Sequence, residues 1–474
     1  MVVVAGAVVA RFRATLRPTA DTGQSAAPSR HPIATHRSPH GRADRHTFVG
    51  MSRTAPTPRR ALAAATLTAA ALATTAAVSG PASAAPAGAT ASGAKASGAP
   101  DRTLRVATFN ASLNRTAAGA LVSDLSTPDN AQAKAVAEVI QRTDPDLLLI
   151  NEFDYVEGGV AAELFRDNYL ERPQNGADPV DYPYYFVAPV NTGVPSGLDL
   201  DNNGAVGGPN DAFGFGFYPG QYGMAVYSKH PIDTDAVRTF QHLLWKDMPG
   251  ALLPDDPSTP EPADWYSPAE LEQVRLSSKS HWDVPVTVGK RTVHVLAAHP
   301  TPPTFDGPED RNGRRNHDEI RFWADYVTPS RSGYVYDDEG GRGGLNPSEA
   351  FVILGDYNAD PFDGDSYDGA IHQLLDNHRI ADPQATSEGA VEAARLQGGA
   401  NLTHRGDPRY DTADFADGAP GNLRVDYTLL SRHFTVADAG VFWPVQADPL
   451  FRLTGVFPFP TSDHRLVWAD VTLR

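Results

Sequence analysis

Short apolar runs of four to seven residues, bounded by turn-forming residues, recur along the chain from residue 104 to its end. Runs of this length that are rich in β-branched and aromatic residues are typical of β-strands. We therefore predict strands at residues 104–110, 147–151, 224–228, 284–288, 293–298, 350–354, 425–430 and 466–472. A chain built from strands this short has to bury them in sheets.

Helix signals are fewer than strand signals. Apolar residues at helical spacing predict helices at residues 130–142 and 314–326, and a third helix is predicted at 369–375. No period of 20–50 residues recurs, so a solenoid or propeller is not expected. Because strands outnumber helices, we predict two packed sheets with helices on the outside.

Cysteine is absent from all 474 residues. This excludes disulfide scaffolds, thiolate zinc sites, iron–sulfur clusters and thiol catalysis. The fold must therefore be stabilised by its hydrophobic core alone. The residues from Asp101 onward are numerous enough for a core of that kind.

The formal net charge of −17 is unevenly distributed. Residues 1–84 contain ten Arg, no Lys and two acidic residues, a balance of +8, whereas the remaining 390 residues have a balance of −25. Such an acidic body argues against binding nucleic acid by broad electrostatic attraction. It does not argue against an enzyme that meets phosphate groups through a metal ion.

The basic front segment has the pattern of a secretory signal peptide. Three arginines after Met51 precede an Ala/Leu/Thr-rich stretch, which ends at the small-residue signal Ala82-Ser83-Ala84. We expect cleavage after Ala84 and a secreted, extracellular protein. The alternative is a transmembrane anchor, but the cleavage signal and the small residues argue against it.

The sequence predicts four segments. Residues 1–50 are polar and Arg/His-rich past Val9, and we interpret them as a spurious upstream extension, with Met51 as the true start. Residues 51–84 are the signal peptide, and residues 85–100 form a disordered Gly/Ala/Ser linker. Residues 101–474 form the globular domain, which contains all of the predicted strands and helices.

Polar residues able to bind metal or phosphate end several predicted strands. They are Asn110, Asn151-Glu152, His299, Asp356 with Asn358, Asp426, and Asp463-His464. One such residue is usually a turn former, but six strand ends of this kind along one chain are hard to explain as turns. Their oxygen donors suit Mg²⁺, Mn²⁺ or Ca²⁺ better than zinc.

The ordered motifs TFN, NE, H, GDYN, DY and SDH resemble those of the endonuclease/exonuclease/phosphatase superfamily, over about residues 103–474. The resemblance is most specific at Gly355-Asp356-Tyr357-Asn358 and at Ser462-Asp463-His464. It implies an α/β fold, a four-layer α/β sandwich with two packed mixed β-sheets flanked by helices. It also implies a hydrolase that acts on phosphoester bonds with Mg²⁺ or Mn²⁺.

The resemblance also implies roles for individual residues. Glu152 would bind the metal, with Asn110 close by and Asp463 as a further ligand. His464 would be the general base or a phosphate contact, oriented by Asp426. Asp356 and Asn358 would position the attacking water, and His299 would contact phosphate or protonate the leaving group. The general base stays open between Asp356 and His464.

A second metal site is predicted in a loop. The run from Asp199 to Gly204 matches the opening of a calcium-binding loop, with Asp199, Asp201, Asn203 and Asp211 as candidate ligands. A full EF-hand is not expected, because position twelve is Asn210 and flanking helices are not evident. The alternative is an ordinary Asp/Asn/Gly turn.

Three arginines follow His299 in the chain. Arg311, Arg314 and Arg315 are candidate contacts for a substrate phosphate, because guanidinium groups suit that geometry. Alternatively, Arg314 and Arg315 form a salt-bridged helix face with Asp318 and Glu319. We favour the second interpretation for most of them.

These features together predict a secreted phosphoesterase or phosphodiesterase that hydrolyses phosphate esters by metal-assisted attack of an activated water. The alternatives are an extracellular nuclease, a sphingomyelinase-like lipid phosphodiesterase and a non-catalytic binding protein. The acidic body argues against the nuclease, and no aromatic hairpin for membrane docking is evident. The expected partner is a phosphoester substrate, small molecule or nucleic acid. Neither a stable protein partner nor a membrane anchor after signal cleavage is expected.

Overall fold

The computed structural model describes residues 103–474, so the predictions for residues 1–100 lie outside the described residues. Twelve strands form in this part of the chain: β1 Leu104–Leu113, β2 Leu147–Phe153, β3 Tyr184–Phe186, β4 Met224–Ser228, β5 Arg238–Thr239, β6 His281–Val288, β7 Arg291–Ala298, β8 Ala350–Asp356, β9 Ile380–Ala381, β10 Asp426–Ser431, β11 Phe434–Val441 and β12 Val467–Leu473. The α-helices are α1 Ala120–Leu125, α2 Ala131–Thr143, α3 Val160–Phe165, α4 Pro268–Leu271, α5 Arg311–Tyr326, α6 His372–Leu375, α7 Glu388–Gln397 and α8 Phe451–Thr454. None of the described helices is long and apolar enough to cross a bilayer.

The strands form two six-stranded mixed sheets. The strand order is β11-β12-β1-β2-β4-β3 in the first sheet and β5-β6-β7-β8-β10-β9 in the second. Each sheet has one parallel pair near its centre, β1 with β2 and β7 with β8, and its other pairs are antiparallel. The parallel pairs bring the carboxyl ends of four central strands to the same edge of the sandwich.

The two sheets pack face to face. Alternate side chains of their central strands share one core, which includes Val106, Leu149, Val295 and Val352. This alternation follows from the two-residue period of a strand. The outer face of the first sheet packs on α2 and α3, and the outer face of the second packs on α5 and α6. The predicted four-layer α/β sandwich is confirmed.

All eight predicted strands form, most of them a few residues longer than predicted. The strands β3, β5, β9 and β11 were not predicted. Of the helices, α2 and α5 lie where the periodicity predicts them, whereas only the second half of residues 369–375 is α-helical. Asn130 caps the start of α2, because its side chain accepts a hydrogen bond from the Ala133 amide at 3.0 Å.

Gly355 allows β7 and β8 to approach closely just before Asp356. A Cβ atom at this position would lie 2.2 Å from the carbonyl oxygen of Ala298, which is backbone and has little freedom to move. A side chain here would therefore push the two central strands apart, directly at the edge where the polar residues meet.

Gly355→Ala should lower the free energy of unfolding by about 1–3 kcal/mol, the usual cost of overpacking a core. Gly418→Ala is the matched control, because a Cβ there meets no atom within 4 Å. Urea unfolding of both variants measures the difference. Equal stabilities would show that the strands adjust to the added methyl group.

Candidate active site

The polar strand ends meet at one edge of the sandwich. Asn110 lies near the carboxyl end of β1, Asp356 is the last residue of β8, and Asp426 is the first residue of β10. Asp426 pairs in register with Asp356 across the antiparallel ladder. By strand alternation these three side chains point between the two sheets, on the same side as Val106, Leu354 and Leu430.

Asp356 lies at the centre of this cluster and is 1% exposed. Its Oδ2 accepts a hydrogen bond from Asn110 Nδ2 at 3.0 Å and lies 3.4 Å from His299 Nε2 and 3.7 Å from His464 Nε2. Burial raises the pKa of Asp356, but the charge of His464 and the hydrogen bonds from His299 and Asn110 outweigh it. The carboxyl pKa therefore lies well below its usual range, and Asp356 is ionised at neutral pH.

His464 and Asp426 form a buried pair. The distance from His464 Nδ1 to Asp426 Oδ2 is 2.9 Å, and the same oxygen accepts a hydrogen bond from Thr412 Oγ1 at 2.8 Å. Burial by itself would lower the pKa of His464. The carboxylates of Asp426 and Asp356 raise it by a larger amount, so the pKa lies well above its usual value. The imidazole is therefore protonated at neutral pH and is held between two carboxylates.

His299 is in the opposite protonation state. Burial, aided by the positive charge of Lys279, lowers its pKa to about 4, against the opposing effect of Asp356. The ring is thus neutral at pH 7. Its Nδ1 atom is buried and has no hydrogen-bond partner among the described residues. A neutral imidazole beside an ionised aspartate can still donate a hydrogen bond through Nε2.

Glu152 lies next to this cluster in a left-handed backbone conformation, with φ of 55°. Such a conformation is uncommon for a residue other than glycine and clusters at functional sites. Its Oε2 accepts a hydrogen bond from Asn114 Nδ2 at 2.6 Å. Burial, followed by the charge of Asp463, raises its pKa to about 7, while His464 and a hydrogen bond from Asn110 lower it.

The residues predicted to bind metal fit a hard divalent cation. Asn110, Glu152 and Asp463 lie together and offer only oxygen ligands, which Mg²⁺ and Mn²⁺ prefer. Burial and the charge of Asp463 raise the pKa of Glu152, and a bound cation would favour its ionised form. Atoms of Asp356, Asp426 and His464 also lie within 4.8 Å of one another and could hold a metal ion. His464 and Asp426 already bond each other, so we interpret that group as a hydrogen-bonded cluster.

Two features of the site were not predicted. Asn151 connects the sheets, because its Oδ1 accepts a hydrogen bond from the Asp356 amide and its Nδ2 donates to the Ala298 carbonyl, both at 3.2 Å. Thr412 fixes Asp426 from a loop. The Asn in the NE motif was a visible signal for the first, whereas nothing in the sequence indicated the second.

Asn358 Nδ2 donates to the Pro300 carbonyl at 3.1 Å, and its amide donates to Asp356 Oδ1 at 2.9 Å.

The three arginines have structural contacts. Arg315 donates to the backbone carbonyls of Leu276, Phe213, Arg275 and Ser277, and Arg311 pairs with Glu309. The Arg314 guanidinium lies over the Tyr367 ring. Among the described side chains, none of the three contacts His299, Asp356 or His464. Their role as phosphate contacts stays a prediction.

The alternative prediction, a salt-bridged helix face, is wrong. Asp318 pairs with Arg321 and accepts a hydrogen bond from Trp245 Nε1, and Glu319 accepts hydrogen bonds from Ser278 and Thr301. The acidic residues of α5 are therefore used to fix loops. Arg314 and Arg315 turn to other partners because those loops cover this part of the helix.

The calcium-loop residues are brought together in part. Carboxylate oxygens of Asp199, Asp201 and Asp211 lie within 4.8 Å of one another. Backbone amides of the same loop donate to Asp199 and Asp211, and Asn203 Oδ1 accepts a hydrogen bond from the Ala205 amide. These contacts also fit an ordinary turn, so the calcium site stays a prediction.

If this loop binds calcium, adding CaCl₂ to the purified protein should raise its melting temperature, because an ion that binds only the folded state stabilises it. Asp201→Asn should reduce this shift. Asp235→Asn, in the short 3₁₀ turn Thr234–Ala236, is a matched control. Thermal melts with calcium and with EDTA check the prediction, and an equal shift in wild type and Asp201→Asn would contradict it.

Comparison with known proteins agrees with this geometry. A family model described as "Endonuclease/Exonuclease/phosphatase family" matches residues 107–464, which is most of the chain. The chain therefore belongs to the endonuclease/exonuclease/phosphatase family. Members of this superfamily are hydrolases that act on phosphoester bonds and generally use divalent metals. A search of curated proteins finds no match.

Several solved structures are similar to this chain at low identity. An endonuclease/exonuclease/phosphatase protein from Beutenbergia cavernae DSM 12333 is 19% identical, with 78% of this chain and 72% of that chain covered and a TM-score of 0.42. Mannosyl-6-phosphatase Bt3783 of Bacteroides thetaiotaomicron VPI-5482 is 11% identical, with coverages of 78% and 100% and a TM-score of 0.39. Sphingomyelinase C from Streptomyces griseocarneus is 15% identical, with coverages of 78% and 99% and a TM-score of 0.38.

Proposed function

We propose that this protein is a secreted, Mg²⁺- or Mn²⁺-dependent phosphoesterase that hydrolyses small phosphate monoesters or diesters outside the cell. The observation that carries the proposal is the arrangement around Asp356. An ionised aspartate lies between a neutral histidine and a protonated histidine, beside the carboxylates of Glu152 and Asp463. Phosphoester hydrolysis requires these functions in one place: a base, hydrogen-bond donors for the phosphoryl oxygens, and a cation site.

The protonation states suggest how the residues divide the work. Asp356 is ionised and accepts the proton of the attacking water, with Asn110 and Asn358 holding its oxygens in position. His464 keeps its proton because of Asp426 and donates a hydrogen bond to a phosphoryl oxygen. This favours Asp356 over His464 as the general base.

The remaining groups complete the site. His299, which is neutral, donates through Nε2 to the phosphoryl group or to the leaving oxygen. Asn110, Glu152 and Asp463 would hold the metal ion. When bound, the ion would neutralise phosphoryl charge and stabilise the leaving oxygen.

One observation favours a lipid phosphodiester as a second candidate substrate. Phe215 and Phe217 are 47% and 67% exposed, with ring centroids 5.7 Å apart, and Phe305 and Phe457 are 83% and 72% exposed. Phe305 follows His299 by a few residues, and Phe457 precedes Asp463 by a few residues. Exposed aromatic residues, two of them close in sequence to proposed catalytic residues, fit an apolar surface such as a membrane interface.

A single set of assays separates these activities. Purified protein is incubated with Mg²⁺ or with EDTA on p-nitrophenyl phosphate, bis-p-nitrophenyl phosphate, plasmid DNA and sphingomyelin vesicles. We expect Mg²⁺-dependent release of p-nitrophenol and little DNA cleavage, because the body carries a net charge of −25. Cleavage of sphingomyelin alone would support the lipid substrate. Failure on all four would point to a binding protein.

Export is tested separately. We propose that the signal peptide is removed after Ala84 and that the enzyme acts outside the cell. N-terminal sequencing of the protein from the culture medium should then begin at Ala85. An intact Met1 or Val2 in exported protein would contradict both the cleavage and the start at Met51.

A further inference from the structure

Lys279 is a buried lysine without a protein partner. The residue is 6% exposed, and its ammonium forms no hydrogen bond or ion pair with the other described residues. Nζ itself keeps some access to solvent, so a ligand can reach it. Burial of the side chain disfavours the charged form and lowers the pKa of Lys279. A position that keeps a lysine at this cost is a candidate for binding an anion.

The backbone places Lys279 beside the active site. His281, at the start of β6, pairs in register with Ala298 at the end of β7, so the residues before His281 run alongside His299 and Pro300. The Lys279 carbonyl accepts a hydrogen bond from the Asn191 amide at 2.8 Å. Lys279 therefore belongs to the same edge of the second sheet as His299 and Asp356.

Glu319 of α5 fixes this segment. Its Oε1 accepts hydrogen bonds from the Ser278 amide at 2.6 Å and the Ser278 hydroxyl at 2.9 Å, and its Oε2 accepts one from the Thr301 amide at 2.7 Å. One carboxylate thus ties the residue before Lys279 to the segment that follows His299. The lysine is held in position by its backbone, which leaves the ammonium free to bind a ligand.

The electrostatic neighbours of Lys279 are residues of the site. After burial, the influences on its pKa are the carboxylates of Glu319, Asp356 and Glu152, which favour the charged form, and the charge of Arg315, which opposes it. In turn, its positive charge is one of the causes of the low pKa of His299. These influences agree with the sheet register, which places Lys279 beside His299.

We propose that Lys279 is a substrate-binding residue whose ammonium donates hydrogen bonds to the phosphoryl oxygens of the substrate. The inference rests on the proposed function, because the anion it predicts is the phosphate group that this site hydrolyses. A phosphate would give the ammonium a direct partner, which the other described residues do not provide. Hydrogen bonds between ionised groups are about twice as strong as neutral ones, so this contact contributes substantially to substrate binding.

Lys279→Met, which keeps the length of the side chain without its charge, tests the inference, with Lys279→Gln as a second variant. Lys290→Met in the exposed β6–β7 turn is the matched control. Titration calorimetry with inorganic phosphate in Mg²⁺ should show about 10-fold or greater weakening of phosphate binding in both Lys279 variants and none in Lys290→Met. The kcat/KM for any hydrolysed ester should fall by a similar factor. The melting temperature should stay the same or rise, because an unpaired buried charge is removed.

The outcomes separate the two hypotheses. Folded Lys279 variants with unchanged phosphate affinity and kcat/KM would overturn the inference, as would a wild-type protein that does not bind phosphate. A fall in melting temperature with unchanged phosphate affinity would assign Lys279 a structural role instead. Phosphate binding that depends on Lys279 in a protein that hydrolyses none of the esters would support the inference and contradict the proposed function.

Discussion

Replacing His464 by alanine should lower kcat on a hydrolysed phosphoester by about 10²–10⁴-fold, the usual contribution of a positioned acid–base group. The variant loses the protonated imidazole 3.7 Å from Asp356. It also leaves the Asp426 carboxylate buried without its 2.9 Å partner. Burial already raises the pKa of Asp426 to about 6 although His464 lowers it, so without the imidazole this carboxyl should be largely protonated. The phosphoryl group would then lose the charged hydrogen-bond donor that the wild-type protein presents.

Because an orphaned buried carboxylate also destabilises the fold, the activity has to be measured on folded protein. Circular dichroism and thermal melts provide that check, and His464→Gln is a milder second variant. His378→Ala, an exposed histidine before β9, is the matched control and should keep wild-type kcat. Near-normal kcat in folded His464→Ala would refute the role assigned to this residue.

The sequence predicts the central strands well, because they are buried on both faces. Strands such as 147–151 and 350–354 read as continuous apolar runs, and in the structure they are the middle of each sheet. The unpredicted strands carry weaker signals. β5 and β9 are two residues long, and β11 has four consecutive exposed residues, Thr435–Asp438, so no buried face is visible in the sequence.

The cluster around Asp356 is predictable for a related reason. Its residues sit at strand ends, where the chain order already reveals them, and parallel pairing then brings those ends together. Contacts that depend on loops could not be predicted. Thr412 reaches Asp426 from an irregular segment, and Glu319 faces a loop rather than the neighbouring arginines of its helix.

Lys279 shows a further limit of sequence reasoning. The residue precedes a predicted strand and has no motif around it, so its identity alone is compatible with an exposed lysine. Only the sheet register, which sets it beside His299, reveals that it is buried near the carboxylates. Burial and the absence of a partner are properties of the fold, and they are what distinguish this lysine from Lys290.

Glu152→Gln should abolish most of the metal-dependent activity. Glutamine keeps the size of the side chain but removes the negative charge that attracts the cation. Loss of a residue that only hydrogen-bonds to a metal ligand lowers metal affinity or activity by about 10–100-fold. Loss of the charged ligand itself should therefore lower activity at millimolar Mg²⁺ by at least about 100-fold. Glu163→Gln, on the exposed face of α3, removes the same charge at a distance from the site and should remain fully active.

The pH dependence of magnesium binding gives an independent test of the same residue. The pKa of Glu152 is raised to about 7, so below this pH a cation has to displace a proton to bind. For a carboxyl with this pKa, Mg²⁺ affinity should be about tenfold weaker at pH 6 than at pH 8. In metal-free protein the raised pKa of Glu152 makes the folded state more stable at acidic pH, because the folded state binds the proton more tightly than the unfolded state. Its contribution to stability is present at acidic pH and is lost as pH rises through about 7.

The opposite pH dependences of Mg²⁺ affinity and of metal-free stability test whether Glu152 binds the cation. Added Mg²⁺ should raise the melting temperature more at pH 8 than at pH 6, because at pH 8 it binds an ionised carboxylate whose repulsion by Asp463 it relieves. Glu152→Gln should remove this difference while leaving the melting curve in EDTA cooperative. Calorimetric Mg²⁺ titrations at the two pH values give the affinities directly. Equal Mg²⁺ affinity in wild type and Glu152→Gln would show that the cation binds elsewhere, with the Asp356, Asp426 and His464 cluster as the next group of side chains to test.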